Sequence, residues 1–581
     1  MVRTSVSGKN CHGTQSGSRN KHTVLNPNMS SFVSSMVQKV AVIGAGISGL
    51  TSIKSCLEEG LEPTCFESGP DIGGLWRFKE EPEPGRANIY ESVVLNTSKE
   101  RLAFSDFPPA AELANNMHHS EVLLYLRQYA QNFGLLRHIH FQTAVVNIRQ
   151  TADYADTGQW VVETEGRYGR QESEVFDAVM VCSGLFTTPN LPLKDFPGIE
   201  SFTGKYFHSH EYRPTEGMRG KRVVVIGIGS SGGDIAVEIS QVAKQVYLCS
   251  RSGAWITSRV GPRGLPADMM YTSRMDEMLK SLFPSLSNSI MENKLNQVFD
   301  HELYGLKPRH SISEKNTVVS DALPARIISG RIRLKENIKE FRGSTLVFAD
   351  GSAVDQVDVV VFATGYNYSF PFLPPDLQDK CGQGPQHRLY RHVFALGLTS
   401  PTLAVVGLID GFGAVNLLAE LQARWATRVF KGLISLPTQE AMMEDIKRER
   451  AKRCKRFTDG KNNPLLVDVL PYMDSLAVEA GVRPNILRLF LSDPKLAWHV
   501  LLGPCTPYQY RLIGPGKWDG ARRAILTQWE RVHTPFRARQ AESGPPTAMI
   551  SYGLIGFLTG ATILTFCFYK NLHLKISCFF S

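Results

Sequence analysis

The chain has 581 residues, 43% of them hydrophobic and 20% charged, with a formal net charge of +9. That length holds roughly two to four domains of ordinary size, and the composition supplies each with a core. The positive charge is spread along the chain without interleaved aromatics, which argues against a nucleic-acid partner, and ten cysteines without a C-x-x-C pair argue against a disulfide framework, a zinc site or a dithiol centre.

Residues 1–36 carry Ser, Asn, Gly, Lys and Arg but no Asp or Glu, and no apolar stretch long enough for a secretory signal. They are expected to be a disordered extension ahead of a natural start at Met36, with an organelle transit peptide as the alternative. Lys39–Ile43 is then a short continuous apolar run, the pattern of a strand buried on both faces of a parallel sheet. It leads into Gly44-Ala45-Gly46-Ile47-Ser48-Gly49, after which Leu50, Ile53 and Leu57 keep a helical period.

This order is that of a dinucleotide-binding unit. Gly44 permits the tight turn, Gly46 lets a diphosphate reach the backbone, and Gly49 lets helix pack on strand. The phosphates sit on the N-terminus of the helix, where unpaired N–H groups favour negative charge. Glu67 closes the second strand and places a carboxylate where ribose hydroxyls can donate to it. Gly73-Gly74-Leu75-Trp76 adds a second glycine turn, which points to a flavin dinucleotide, FAD, rather than a nicotinamide one.

The pattern recurs. Arg222–Ile226 runs into Gly227-Ile228-Gly229-Ser230-Ser231-Gly232, and Ile235, Ile239 and Val242 follow at helical spacing. Here the second strand ends on Arg251 instead of a carboxylate. A guanidinium pairs with a 2′-phosphate that a carboxylate would repel, so this unit is expected to take NADPH. Asp177–Gly184 and Asp358–Gly365 echo one another, each a buried run ending in a small-residue turn where the backbone, at Thr364 and Gly365 in the second, can approach a nucleotide.

The predicted fold is α/β, with two Rossmann-like domains, the second inserted in the first. An FAD-binding domain takes 37–190 and 333–435, an NADPH-binding domain 191–332, and a helical cap or membrane-facing region 436–535. The basic run from Lys447 to Arg456 reads as a solvated helix face, with anionic lipid the next partner to consider. Met549 to Tyr569 is uncharged over about 21 residues, roughly 30 Å of helix, enough for a transmembrane anchor. That end of the chain implies an endoplasmic reticulum membrane protein whose catalytic domains face the cytosol.

Between the two units, Phe202–Tyr212 fits F-x-G-x-x-x-H-x-x-x-Y, which is similar to the signature of flavin-containing monooxygenases and related Baeyer–Villiger enzymes. His208 in it is expected to be structural. Asn96-Thr97-Ser98-Lys99-Glu100, Phe104–Pro108, Ala363–Tyr366, Gly503–Pro507 and Gly516–Gly520 resemble motifs of the animal microsomal members. Asp300–Pro308 and Leu323–Gly330 resemble the type-5 branch most. Leu185-Phe186 departs from the paired histidines many animal members carry.

The resemblance implies an FAD- and NADPH-dependent monooxygenase. NADPH reduces the flavin, dioxygen adds to give a C4a-(hydro)peroxyflavin, and one oxygen atom passes to a small organic substrate. It places Asn96, with Thr97, beside flavin and substrate, Asn96 in a catalytic role. The type-5 likeness implies Baeyer–Villiger oxidation of ketones and aldehydes to esters. N- or S-oxygenation, and an uncoupled NADPH oxidase releasing hydrogen peroxide, are the alternatives. Glu67, Arg251 and Asn96 are all intact, which disfavours a flavoprotein scaffold without turnover. No metal is expected, and self-association is compatible with the sequence.

Overall fold

A computed structural model describes residues 37–537 except 84, 214, 382–387, 412, 414 and 462. The predicted extension over 1–36 and the predicted anchor over 549–569 lie outside the described residues. Among the described residues, no helix is long and apolar enough to cross a membrane.

Two sheets carry the architecture. In the first, the strand order is Leu389–Tyr390, Phe394–Ala395, Leu403–Val405, Ala178–Val181, Lys39–Ile43, Glu62–Glu67, Ile139–Phe141. Pairing is parallel from Leu403–Val405 to Ile139–Phe141, and antiparallel at the other edge. The continuous apolar runs have their reason here, because both faces of the central strands are covered. Helix Ile47–Glu58 lies on one face, packed along the almost wholly buried helix Val415–Phe430. Trp160, Phe176 and Phe370 fill the other face. Trp160 comes from a small antiparallel sheet over Thr143–Phe176, and its indole N–H donates to Thr402 Oγ1 at 2.9 Å, fastening that layer to the main one.

The second sheet is parallel throughout, in the order Ile332–Lys335, Gln245–Cys249, Arg222–Ile226, Val359–Phe362, Lys205–His208. One face is covered by helix Ser230–Ile239 through Ile235 and Ile239, the other by Phe341, Leu346 and Phe348. Val242, expected on the helix, lies past its end at Ile239.

One predicted boundary moves. The second sheet contains Ile332–Lys335 and Val359–Phe362, so the chain does not return to the first domain at 333; it rejoins the first sheet at Leu389–Tyr390. A buried parallel strand is apolar on both faces and carries no mark of which neighbour it pairs with. The echo between the two Asp-led runs is nevertheless structural. Asp177 Oδ2 accepts the backbone N–H of Lys39 at 2.8 Å, and Asp358 Oδ2 accepts that of Arg222 at 2.8 Å. Each aspartate fastens the start of its own domain's first strand. The two chain crossings between domains run side by side, Thr188–Pro189 pairing antiparallel with Tyr366–Asn367.

The region from 436 onward is helical as expected, with helices at Gln439–Arg456, Val469–Glu479, Ile486–Ser492 and Pro494–Leu502. Helix Val469–Glu479 packs on Val415–Phe430, which makes this region a second layer of the first domain. The basic run lies on Gln439–Arg456, where Lys447, Arg448, Arg450, Lys452 and Lys455 are exposed to solvent.

Candidate active site

The two glycine turns are built alike. Gly44 has φ +103° and Gly227 φ +104°, a left-handed conformation that a side chain would strain. A Cβ on Gly44 would stand 2.8 Å from the Cys182 carbonyl oxygen, and one on Gly227 would stand 2.4 Å from that of Ala363. The third glycine of each motif packs against the first: a Cβ on Gly49 or Gly232 would fall 1.8 or 2.0 Å from the carbonyl oxygen of Gly44 or Gly227. Both turns therefore force helix and strand into backbone contact, as the spacing predicts.

Each turn ends on an uncapped helix. Helix Ile47–Glu58 follows Gly46 and helix Ser230–Ile239 follows Gly229, and in both no side chain caps the N-terminus and no acidic residue stands in the first turn. Their leading N–H groups are left for an anion, which fits a diphosphate. A Cβ on Gly229 would meet nothing within 4 Å, so that approach is open, and Gly229 and Ser230 are exposed with Ser231 half-buried behind them. Gly46 is different. The second glycine turn folds onto it, with Gly73 N–H donating to the Ala45 carbonyl at 3.1 Å. Gly74 approaches so closely that a Cβ there would lie 3.1 Å from Gly46 Cα. The short 3-10 helix Gly74–Trp76 carries Leu75 outward. Ser48 packs against Gly407, the turn after strand Leu403–Val405.

The strand ends beside the turns carry opposite chemistry. Gly44 N–H donates to the Phe66 carbonyl at 2.8 Å, which sets Glu67 next to the turn. Glu67 is buried and accepts the Ala45 N–H at 2.8 Å and the Gly69 N–H at 2.7 Å. In the second domain, Gly227 N–H donates to the Cys249 carbonyl at 3.0 Å, and Arg251 stands two residues on, exposed. The carboxylate is held by two backbone donors and the guanidinium faces solvent.

Asn96 and Thr97 are half-buried on a segment of the first domain that the second domain grips. Arg259 Nη2 donates to Asn96 Oδ1 at 2.7 Å, and Asp268 Oδ2 accepts both the N–H and the hydroxyl of Ser98, at 2.8 and 2.9 Å. Neither Arg259 nor Asp268 was predicted. Each lies far along the chain from its partner and in no motif, so only the fold unites them.

Thr364 and Gly365 join the domain crossings. The Thr364 hydroxyl donates to the Asn190 carbonyl, and the Gly365 carbonyl accepts the Asn190 N–H at 2.9 Å. The same carbonyl meets His208 Nε2 at 3.0 Å. His208 Nδ1 accepts the His210 N–H at 3.2 Å, so the proton sits on Nε2, and burial pushes the imidazole below its usual range. A neutral, buried histidine tying strand to turn is a structural element.

Behind the first turn, the far end of helix Ile47–Glu58 is fastened by buried charge. Arg511 lies 3.0 Å from Glu420, 3.0 Å from Asp106 and 3.1 Å from Glu58, and Lys54 lies 2.7 Å from Asp106.

Residues 37–570 match the family model described as Flavin-binding monooxygenase-like. The chain belongs to this family. A flavin-binding monooxygenase of this family is an FAD- and NADPH-dependent enzyme, and the two uncapped turns fit both dinucleotides. Among its relatives, Flavin-containing monooxygenase 5 of Rattus norvegicus is 52% identical over 509 residues, covering 87% of this chain and 94% of that one. Dimethylaniline monooxygenase [N-oxide-forming] 2 of Oryctolagus cuniculus is 48% identical over 518 residues, covering 89% and 96%. Among solved structures, S-allyl-L-cysteine S-oxygenase from Allium sativum aligns with a TM-score of 0.58 at 27% identity, covering 86% of this chain and 99% of that one. OTEMO in complex with FAD and NADP aligns with a TM-score of 0.58 at 19% identity, covering 77% and 98%, a likeness of fold.

Proposed function

We propose that this flavin monooxygenase inserts one oxygen atom of O2 into small ketones and aldehydes to give esters, at the expense of NADPH. The balance is NADPH, H+, O2 and ketone going to NADP+, water and ester. The observation that carries the cofactor half of the reading is the contrast at equivalent strand ends: Glu67 beside one turn, Arg251 beside the other. Glu67 is preset for the ribose hydroxyls of FAD, and its two bonds to N–H groups leave lone pairs free to accept from them. Arg251 takes the 2′-phosphate that distinguishes NADPH.

When bound, FAD accepts hydride and activates dioxygen. The chain's own part is to bind, orient and exclude water. The turn of Gly73 and Gly74, packed on Ala45 and Gly46, would help hold the diphosphate of the flavin nucleotide. Asn96 offers a carboxamide that steadies the oxygen under transfer by donating a hydrogen bond. The substrate class is supported by the likeness to the type-5 relatives; a cyclohexanone monooxygenase, aligned with a TM-score of 0.56 at 18% identity, shares the fold. The N-oxide-forming relative supports the second reading for amines, and the S-oxygenase supports it for sulfides.

Location belongs to the same proposal. The uncharged stretch 549–569 anchors the chain in the endoplasmic reticulum membrane with its domains in the cytosol, and carbonate washing of membranes after deletion of 549–581 tests this. For the chemistry, the enzyme reduced with NADPH without oxygen is mixed with oxygenated buffer, and the return of the oxidised flavin spectrum is timed. Slow return that quickens with substrate supports a monooxygenase; prompt return with stoichiometric peroxide means an oxidase. Products from a methyl ketone and a tertiary amine then decide the class, and N-oxide without ester would sink the ketone claim.

A further inference from the structure

Asn96 does not set its own orientation. Its carboxamide oxygen accepts from Arg259 Nη2 at 2.7 Å, while Arg259 Nε donates to the neighbouring Leu95 carbonyl at 3.2 Å. Arg259 is itself fixed. Its Nη1 pairs with Asp321 Oδ2 at 3.0 Å, and its backbone N–H donates to Asp321 Oδ1 at 2.9 Å, which also accepts the Ser258 hydroxyl. Burial works to raise the Asp321 carboxyl, but these hydrogen bonds and the Arg259 charge outweigh it and hold the group ionised below its usual range.

We infer that Arg259, braced by Asp321, is a positioning residue that turns the carboxamide of Asn96 so that its N–H groups face away from Arg259 and are the only polar function it offers elsewhere. The physical basis is that a guanidinium only donates, so the amide oxygen must face it and the amide nitrogen must point the other way. Leu95 and Asn96 belong to the first domain; Arg259 and Asp321 lie in the chain of the second. The orientation therefore exists only while the domains are docked, and separation of the domains releases it. Asp268, which holds Ser98 two residues on, strengthens the same contact from the same side.

The inference rests on the reading that Asn96 acts at the flavin, so its test separates the two. Holoenzyme carrying Asn96→Ala, Arg259→Ala, both, Arg259→Lys or Asp321→Asn is compared for flavin content, thermal unfolding midpoint, NADP+ affinity, peroxide yield and the time taken to recover the oxidised flavin spectrum. Arg259→Ala should shorten that time by about tenfold or more, the effect of one lost charged hydrogen bond, with a matching rise in peroxide. In the Asn96→Ala background the same change should add less than about twofold, and the unfolding midpoints of the four proteins should be non-additive. Arg259→Lys, which keeps the charge and loses the fork, should fall between, and Asp321→Asn should reproduce Arg259→Ala in milder form.

An equal loss in both backgrounds, or a loss confined to NADP+ affinity, would overturn the inference and make Arg259 a nucleotide ligand. If Asn96→Ala alone leaves recovery unchanged, the catalytic reading of Asn96 is what fails. The unfolding cycle still decides the contact in that case: additive midpoints overturn it and non-additive ones uphold it.

Discussion

Glu67 Oε2 accepts the backbone N–H of Ala45 at 2.8 Å, so the carboxylate at the end of the second strand is bonded to the turn that follows the first. The carboxylate proposed to meet the ribose and the turn proposed to receive the phosphates are thereby bonded to one another. Glu67→Gln keeps the shape but sets an amide N–H2 against one of two backbone donors. Flavin affinity should fall by about 1.5–3 kcal/mol, a factor of ten to a hundred. Flavin retained through gel filtration, read by absorbance, measures it.

Gly229→Ala separates binding from folding. The added methyl meets no protein atom within 4 Å, so the unfolding midpoint and flavin content should be unchanged. The methyl does occupy the space a diphosphate needs, and the Kd for NADPH should rise at least about tenfold. Gly227→Ala, by contrast, forces a Cβ to 2.4 Å from Ala363 O at φ +104° and should unfold the second domain. Limited proteolysis distinguishes the two variants.

Arg251→Gln removes the charge beside the second turn and leaves a neutral donor. KM for NADPH should rise by about ten- to a hundredfold while KM for NADH moves little, which reduces the preference between them. Arg251 is exposed, so stability should not change. A variant that lost both nucleotides equally would show that Arg251 does not read the 2′-phosphate.

Acid stability should depend on the charges behind the first helix. Burial alone would raise the carboxyls of Glu420 and Glu58, but Arg511 and Lys54 outweigh it and hold both below the usual 4.5. A depressed carboxyl contributes stability that is present above its unfolded value and is lost as pH falls through its folded one. Asp106 moves the opposite way, because burial and the adjacent Glu420 outweigh Arg511 and Lys54, so its protonation favours the fold and blunts the loss. The unfolding midpoint should thus hold near neutrality and drop below pH 4.5. Arg511→Met should cost about 3–5 kcal/mol at neutral pH by removing the guanidinium that Glu420, Asp106 and Glu58 share and leaving Lys54 and Arg424 alone to balance three carboxylates.

What could be read in advance follows from where the physics is local. A buried strand, a glycine turn and a helix are adjacent in sequence, so Lys39–Gly49 and Arg222–Gly232 declared themselves, as did the carboxylate and guanidinium that close the next strands. The strand Val359–Phe362 was legible as a buried strand and misassigned as to sheet, since its pairing with Arg222–Ile226 is a tertiary fact. Arg259 and Asp268 were invisible for the same reason: their partners come from another domain. Arg511 sits between Gly503–Pro507 and Gly516–Gly520, two stretches with a legible family likeness, yet nothing local says that its guanidinium is buried among Glu58, Asp106 and Glu420.

The fold of Gly73 and Gly74 over Gly46 has a kinetic meaning. A nucleotide bound on the first turn would have to leave past the Gly73–Gly74 segment, whereas one bound on the second turn would depart over the open face of Gly229. On the proposed assignment, the first would be a resident, released on the timescale of local unfolding, and the second a visitor, exchanged at every turnover. Two turns of the same design, differing in whether a neighbour closes over them, divide the dinucleotides into a permanent tool and a consumable fuel.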